Sequence, residues 1–248
     1  MSLPFYKDVR ELSEAAAHLF VEEAQKAIEE AGRFAVALAG GSTPRDTYEV
    51  LATERGEPED LEWSRIHVFF GDERAVPPDH KDSNYRMANE ALLSRVPVGG
   101  VYRMRGELPP PEAATLYERE LETFFGGPPR FDLVLLGIGE DGHTASLFPR
   151  TPALDVCDRF VVENPVEKLG TTRITLTIPA INAALRVVCL VAGEGKAKAL
   201  KEILEGDADP HDYPAKLIRP ANGPQWLVDR SAASLLIAAT GGPAPYRM

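Results

Sequence analysis

Apolar runs too short for helices alternate along this chain with amphipathic helical patterns, and no other feature narrows the fold as far. The clearest run, residues 34–39, is wholly apolar and is closed by Gly40-Gly41. A run of this length and composition predicts a strand buried on both faces. Residues 66–70, 132–136, 173–178, 187–192 and 226–228 read as strands in the same way. Helical spacing fills the intervals at 44–53, 84–95, 111–125 and 195–204. Upstream, Val9, Leu12, Ala16, Leu19, Phe20, Ala24, Ala27 and Ile28 mark one helix face, with Gly32 placed to cap its end. This alternation predicts an α/β fold: a Rossmann-like, mostly parallel sheet with helices on both faces. A smaller β-rich section is expected around residues 155–178. No linker or repeat divides the chain, so residues 1–248 read as a single domain.

Composition excludes more than it selects. The 27 basic and 38 acidic side chains leave a formal charge of −11 with no basic block, which argues against nucleic acid or an anionic membrane as partner. No apolar run reaches the ~20 residues of a membrane span. Residues 1–14 lack a basic stretch followed by an apolar one, and the two cysteines, Cys157 and Cys189, form no disulfide framework. The cytosol is therefore the expected compartment. The five histidines show no metal-ligand spacing.

In a parallel sheet ligands bind beyond the carboxyl ends of the strands, so the residues just past each strand matter most. Four strands hand over to glycine and polar residues: Gly40-Gly41-Ser42-Thr43-Pro44, Gly71-Asp72-Glu73-Arg74, Gly137-Ile138-Gly139-Glu140-Asp141-Gly142-His143 and Gly193-Glu194-Gly195-Lys196. The first suits an anion, with free N–H groups at a helix start, a hydroxyl residue at the N-cap and Pro44 at the first helical position. It is no Walker loop, lacking Gly-Lys-Ser/Thr, and no nucleophile elbow, because Pro44 replaces the second glycine. The third matches G-x-G-x-x-G, yet Glu140 and Asp141 would face a pyrophosphate and Pro149 would break the following helix. A dinucleotide site is rejected on those grounds. Asp141 and His143 on that loop instead suit a proton shuttle whose tautomer is fixed by a carboxylate. Arg74, Arg173 and Lys196 are the cations near strand ends. Arg173 joins the other two only if its strand runs antiparallel to its neighbours or its preceding loop folds back.

Gly71-Asp72-Glu73-Arg74-Ala75-Val76-Pro77, the following Asp82-Ser83-Asn84-Tyr85, and the long run from Gly137 through His143-Thr144-Ala145-Ser146-Leu147-Phe148 to Pro149 resemble the 6-phosphogluconolactonase family. Residues 39–44, 173–176 and 193–197 fit the same family, in order, and the resemblance extends to residues 226–233. The wider superfamily includes glucosamine-6-phosphate deaminases, whose pattern ends Asn-Glu-Pro with a glutamate that assists the histidine. Here that stretch reads Leu147-Phe148-Pro149, and Phe148 cannot exchange a proton.

The resemblance implies hydrolysis of 6-phospho-D-glucono-1,5-lactone in the oxidative pentose phosphate pathway, with a sugar phosphate lactone as partner and no metal or organic cofactor. It implies His143 as general base, oriented by Asp141. Gly41, Ser42, Thr43, Arg173 and Lys196 would hold the phosphate, and Arg74 would contact the phosphate or the developing oxyanion. Asp72 corresponds to a base in the deaminase relatives and reads here as a hydroxyl acceptor. The rivals are a deaminase or isomerase, which Phe148 opposes, and a sugar-phosphate sensor. A sensor of this kind should carry a helix-turn-helix and a basic face, whereas one acidic amphipathic helix precedes the first strand read from the sequence.

Overall fold

In the computed structural model of the chain, residues 5–53 and 61–236 are described. The strands are β1 (Phe5–Tyr6), β2 (Phe34–Leu38), β3 (Ile66–Phe70), β4 (Asp72–Arg74), β5 (Gly100–Val101), β6 (Leu133–Gly137), β7 (Val161–Val166), β8 (Thr171–Leu176), β9 (Arg186–Val191) and β10 (Gln225–Asp229). The helices are α1 (Val9–Ala31), α2 (Ser42–Leu51), α3 (Asn84–Ala88), α4 (Pro110–Phe125), α5 (Ile178–Asn182) and α6 (Ala197–Glu205). Seven strands pair in parallel in the order β1-β10-β9-β6-β2-β3-β5. A second, antiparallel sheet has the order β4-β8-β7.

Alternation along β2 distributes the core between the two faces of the large sheet. Phe34, Val36 and Leu38 pack with α1 and α2, around Leu12, Phe20, Tyr48 and Leu51. Ala35 and Ala37 face the other side, where Tyr117 and Leu121 of α4, Ile181 of α5 and Leu200 of α6 close the layer together with Ile174 and Leu176 of the small sheet. Every β2 residue is buried, which is why the run reads as continuous rather than alternating hydrophobicity. Helix α1 begins at Asp8, whose side chain accepts from the Glu11 N–H, and ends at Gly32 in the left-handed region at φ 74°. Among the described residues, no helix is long and apolar enough to cross a membrane.

Several expected boundaries move. The run at 173–178 is instead Thr171–Leu176, because Thr177 caps α5 through the Ala180 N–H. The pattern at 84–95 divides into α3 and a π-helical turn at Asn89–Leu93. Helix α2 starts earlier than expected. Gly41 is its N-cap at φ 105° with no side-chain cap, Ser42 is already helical, and Pro44 is not the first helical residue. The hydroxyl-cap expectation is thereby corrected. Strands β1, β4 and β5 have two or three residues each and leave no periodicity to read.

His67 on β3 sits against the rings of Phe124 and Tyr102, and its buried Nδ1 has no partner. Burial, with Arg33 nearby, pushes its pKa down. The unfolded chain therefore takes up this proton first, and stability is lost as pH falls through the unfolded histidine value of ~6.5. Unfolding measured between pH 7.5 and 5 should show a shallower stability loss in His67→Phe than in wild type.

Candidate active site

The order of strand addition across the large sheet reverses between β2 and β6: β2 leads outward through β3 to β5, and β6 leads the other way through β9 to β10. Such a switch point opens a crevice at the strand carboxyl ends. A cleft of about 670 Å³ lies there, lined by residues of all four strand-end loops singled out in the sequence.

Two buried tyrosines finish the strands at this edge. The Tyr48 hydroxyl, from α2, accepts from the Ala39 N–H and donates to the Ala39 carbonyl, both at 2.9 Å. The Tyr117 hydroxyl, from α4, does the same for Phe70 at 2.8 and 3.1 Å. Burial raises both phenol pKa values, so both stay neutral. Each ring satisfies a donor and an acceptor that the departing strand would leave orphaned. Beyond Ala39, Gly41 turns the chain into α2 and presents the helix start to the cleft beside Ser42 and Thr43.

The strand β4 pairs antiparallel with β8, setting Arg74 directly opposite Arg173. This meets the condition under which Arg173 could join the other cations. Two guanidiniums face the same cleft, and the Nε of each is buried without a partner. Burial and the neighbouring Arg74 push the Arg173 pKa down, while Asp72, Glu73 and Asp82 pull it back. Arg74 is braced by donation to the Asp82 carbonyl. Lys196, at the turn before α6, completes the cationic wall. Among the described residues, none of the three is in an ion pair with a carboxylate.

Opposite lies the loop after β6. His143 Nδ1 is 2.5 Å from Asp141 Oδ1, which also accepts from the His143 N–H at 3.3 Å. Lys168, from the β7–β8 connection, donates to Asp141 Oδ2 at 3.2 Å. The His143 bond first, and then Lys168, hold the Asp141 carboxyl well below the usual carboxylate range. The Phe148 ring stacks on the imidazole, centroids 4.2 Å apart at 25°. Gly139 makes room for the histidine. A Cβ on Gly139 would lie 2.0 Å from His143 Nδ1 and 2.8 Å from Asp141 Oδ1. Ala145 occupies the left-handed region at φ 48°, a strain of order ~1–2 kcal/mol for a residue with a Cβ. The adjacent Ser146 holds it there, through its N–H to Thr175 Oγ1 at 3.2 Å and its hydroxyl to Asp72.

Asp72 is buried between these walls. Its Oδ1 accepts from Asn84 Nδ2 at 3.1 Å and its Oδ2 from Ser146 Oγ at 2.5 Å. Asn84 Nδ2 also donates to the Asp72 carbonyl at 2.9 Å. Glu73 points away and ties down the 83–85 turn, accepting from the Arg74, Asn84 and Tyr85 N–H groups and from Ser83 Oγ. Burial raises its pKa even though these four donors pull the other way.

All nine site residues expected from the sequence line this one cleft: Asp72, Arg74, Asp141, His143, Gly41, Ser42, Thr43, Arg173 and Lys196. Sequence reasoning missed Asn84, Ser146 and Lys168. The first two lie within the family motifs at 82–85 and 137–149, and membership of those motifs was the signal available. Lys168 carried no signal, because only folding brings the β7–β8 connection over Asp141. Among the described residues, no group of three or more His, Cys, Asp or Glu side chains could hold a metal ion.

The model of the family described as glucosamine-6-phosphate isomerases/6-phosphogluconolactonase matches residues 7–227. The chain belongs to this family. A 6-phosphogluconolactonase of Synechocystis is 50% identical over 218 residues, covering 85% of this chain and 88% of that protein. The solved structure of the 6-phosphogluconolactonase of Trypanosoma brucei superposes with a TM-score of 0.79 at 30% identity, covering 95% of this chain and 98% of that one. A monomeric glucosamine-6-phosphate deaminase superposes nearly as well, with a TM-score of 0.77 at 26% identity over 95% of this chain and 100% of that one. Backbone likeness therefore does not separate the two activities within the family, and the side chains around His143 must.

The space requirement at Gly139 gives a direct test of the dyad. Gly139→Ala should keep the fold but displace the imidazole. The far-downfield proton resonance expected of a 2.5 Å N–H···O bond between His143 and Asp141 should vanish from the NMR spectrum.

Proposed function

We propose that this chain hydrolyses 6-phospho-D-glucono-1,5-lactone to 6-phosphogluconate, using water activated by His143. The observation that carries the proposal is the pairing of two things in one cleft. One is the Asp141–His143 dyad; the other is the Arg74–Arg173 pair, whose buried Nε atoms have no protein partner. Buried guanidinium donors without partners are costly, and an anionic ligand relieves that cost. The names of the relatives, 50% identical in Synechocystis and 39% in Homo sapiens, support the same substrate.

Asp141 is a carboxylate at any working pH and fixes Nδ1 of His143 as the donor, leaving Nε2 as the basic nitrogen. Nε2 takes a proton from water as the water oxygen attacks the lactone carbonyl. The imidazolium that results is stabilised by Asp141. It returns the proton to the ring oxygen as the bond from that oxygen to the carbonyl carbon breaks. The phosphate lies against the Gly41-Ser42-Thr43 helix start with Arg173 and Lys196, and Arg74 adds the second guanidinium of the pair. Asp72, with a donor already on each oxygen, accepts a substrate hydroxyl and fixes the sugar ring. Orientation plus one base suffices for an ester this labile, and no metal or organic cofactor is called upon.

Phe148 favours the lactonase over the deaminase. Its ring occupies the face of His143 and has no proton to exchange.

With the spontaneous rate subtracted, His143→Ala should lose about 10²–10⁴-fold in kcat while unfolding normally. A folded variant at full rate would remove His143 from the mechanism. Arg173→Ala and Lys196→Ala should raise KM for the phosphorylated lactone by roughly 10-fold or more, as expected for lost charge-assisted bonds. Wild type should prefer the phosphorylated lactone to plain gluconolactone, and equal activity on the two would contradict the phosphate role.

A further inference from the structure

The face of the imidazole is as constrained as its edge. Phe148 is buried at 8% exposure and lies nearly parallel to the His143 ring at 4.2 Å. Its own position is over-determined. The Phe148 carbonyl accepts from Thr151 Oγ1 at 2.7 Å, and Asn164 on β7 donates to that same hydroxyl at 2.9 Å and to the Ser146 carbonyl at 2.8 Å. The backbone that carries the ring is thus tied to β7 on both sides, through the Ser146 and Phe148 carbonyls. A cation over an aromatic face within about 6 Å is attracted by the ring quadrupole, more so when water is excluded.

We propose that Phe148 is a positioning residue for His143: its stacked ring fixes the imidazole plane, and its π face favours the imidazolium that forms when the histidine takes a proton from water. The proposal rests on the reading of His143 as the base. Asp141 sets the rotation of the ring about its edge, and Phe148 sets the tilt. Together they leave the histidine one orientation in which Nε2 meets the cleft.

The charged groups around the imidazole are Asp141 on its own loop and Lys168 above Asp141 from the β7–β8 connection. Asp72 and Arg74 on β4, Arg173 on β8, Glu140 and Lys196 line the same cleft. None is altered by substitution at Phe148, so a change in pH profile reports the ring itself. Leucine keeps the apolar cover and removes the quadrupole, whereas tyrosine keeps both. Phe148→Leu should lower kcat roughly 3- to 30-fold with KM little changed, and should move the acid limb of kcat/KM to lower pH by about half a unit. Phe148→Tyr should restore both, with thermal unfolding confirming that each variant folds.

A folded Phe148→Leu with wild-type kcat and an unmoved acid limb would overturn the proposal. So would a kcat loss without movement of the limb, or one that tyrosine fails to restore, since either would leave Phe148 as packing alone. His143→Ala separates the two levels. Full activity in that variant would fail the base assignment itself, whereas lost activity alongside an unmoved Phe148→Leu profile would fail only the role of the ring.

Discussion

The site depends on how the chain leaves the large sheet after β3. Gly71 is the joint: its N–H donates to the Leu38 carbonyl at 2.9 Å, and its carbonyl accepts from the Leu176 N–H at 2.8 Å. This one residue between β3 and β4 therefore bonds to a strand of each sheet, to β2 behind it and to β8 beside it. Asp72, Glu73 and Arg74 come immediately after it as a strand of the small sheet. Without that joint, Arg74 would not face Arg173, and Asp72 would not reach Ser146 on the loop after β6. Tyr48 and Tyr117 close the neighbouring strand ends from opposite faces of the sheet. An orphaned buried backbone group costs about 1–3 kcal/mol, so these closures fix where the strands end and the functional loops begin.

Charge is sorted by the same geometry. Peripheral arginines are paired along helices or turns, as in Arg10–Glu14, Arg45–Glu49 and Arg86–Glu90. Among the described residues, Arg74, Arg173 and Lys196 are left free of carboxylate partners, although acidic side chains exceed basic ones by eleven. In a cleft with low-dielectric walls such a cluster focuses a positive field that a net count conceals. On the opposite wall, one carboxylate is committed to the histidine and a lysine to that carboxylate. The cleft thus has a cationic side and an Asp141–His143 side, with the buried Asp72 between them.

Much of this is legible in the sequence. The buried strands are runs of apolar residues, and the cleft is built from the glycine and polar residues that succeed each run. The resemblance to the family carried the residue roles. What escaped were features set by tertiary contact. Strand β4 is three charged residues and has no apolar signature, yet pairing with β8 makes it a strand. Gly139 reads only as one glycine of a turn-rich loop, and folding shows that its lack of a side chain makes room for the imidazole. Phe148 reads as the loss of a proton-exchanging group, and folding turns it into the support for the histidine. Asn84 and Ser146 have ordinary polar side chains until the loops converge on Asp72.

A cleft with these side chains should hydrolyse a phosphorylated lactone and should not deaminate an amino sugar phosphate. The most direct measurement offers wild-type protein freshly made 6-phosphoglucono-1,5-lactone, with the spontaneous rate subtracted, and separately glucosamine 6-phosphate with ammonia as the readout. Lactone turnover far above the spontaneous rate with no ammonia release is the predicted result. Ammonia release, or a lactone rate indistinguishable from the spontaneous one, would contradict it.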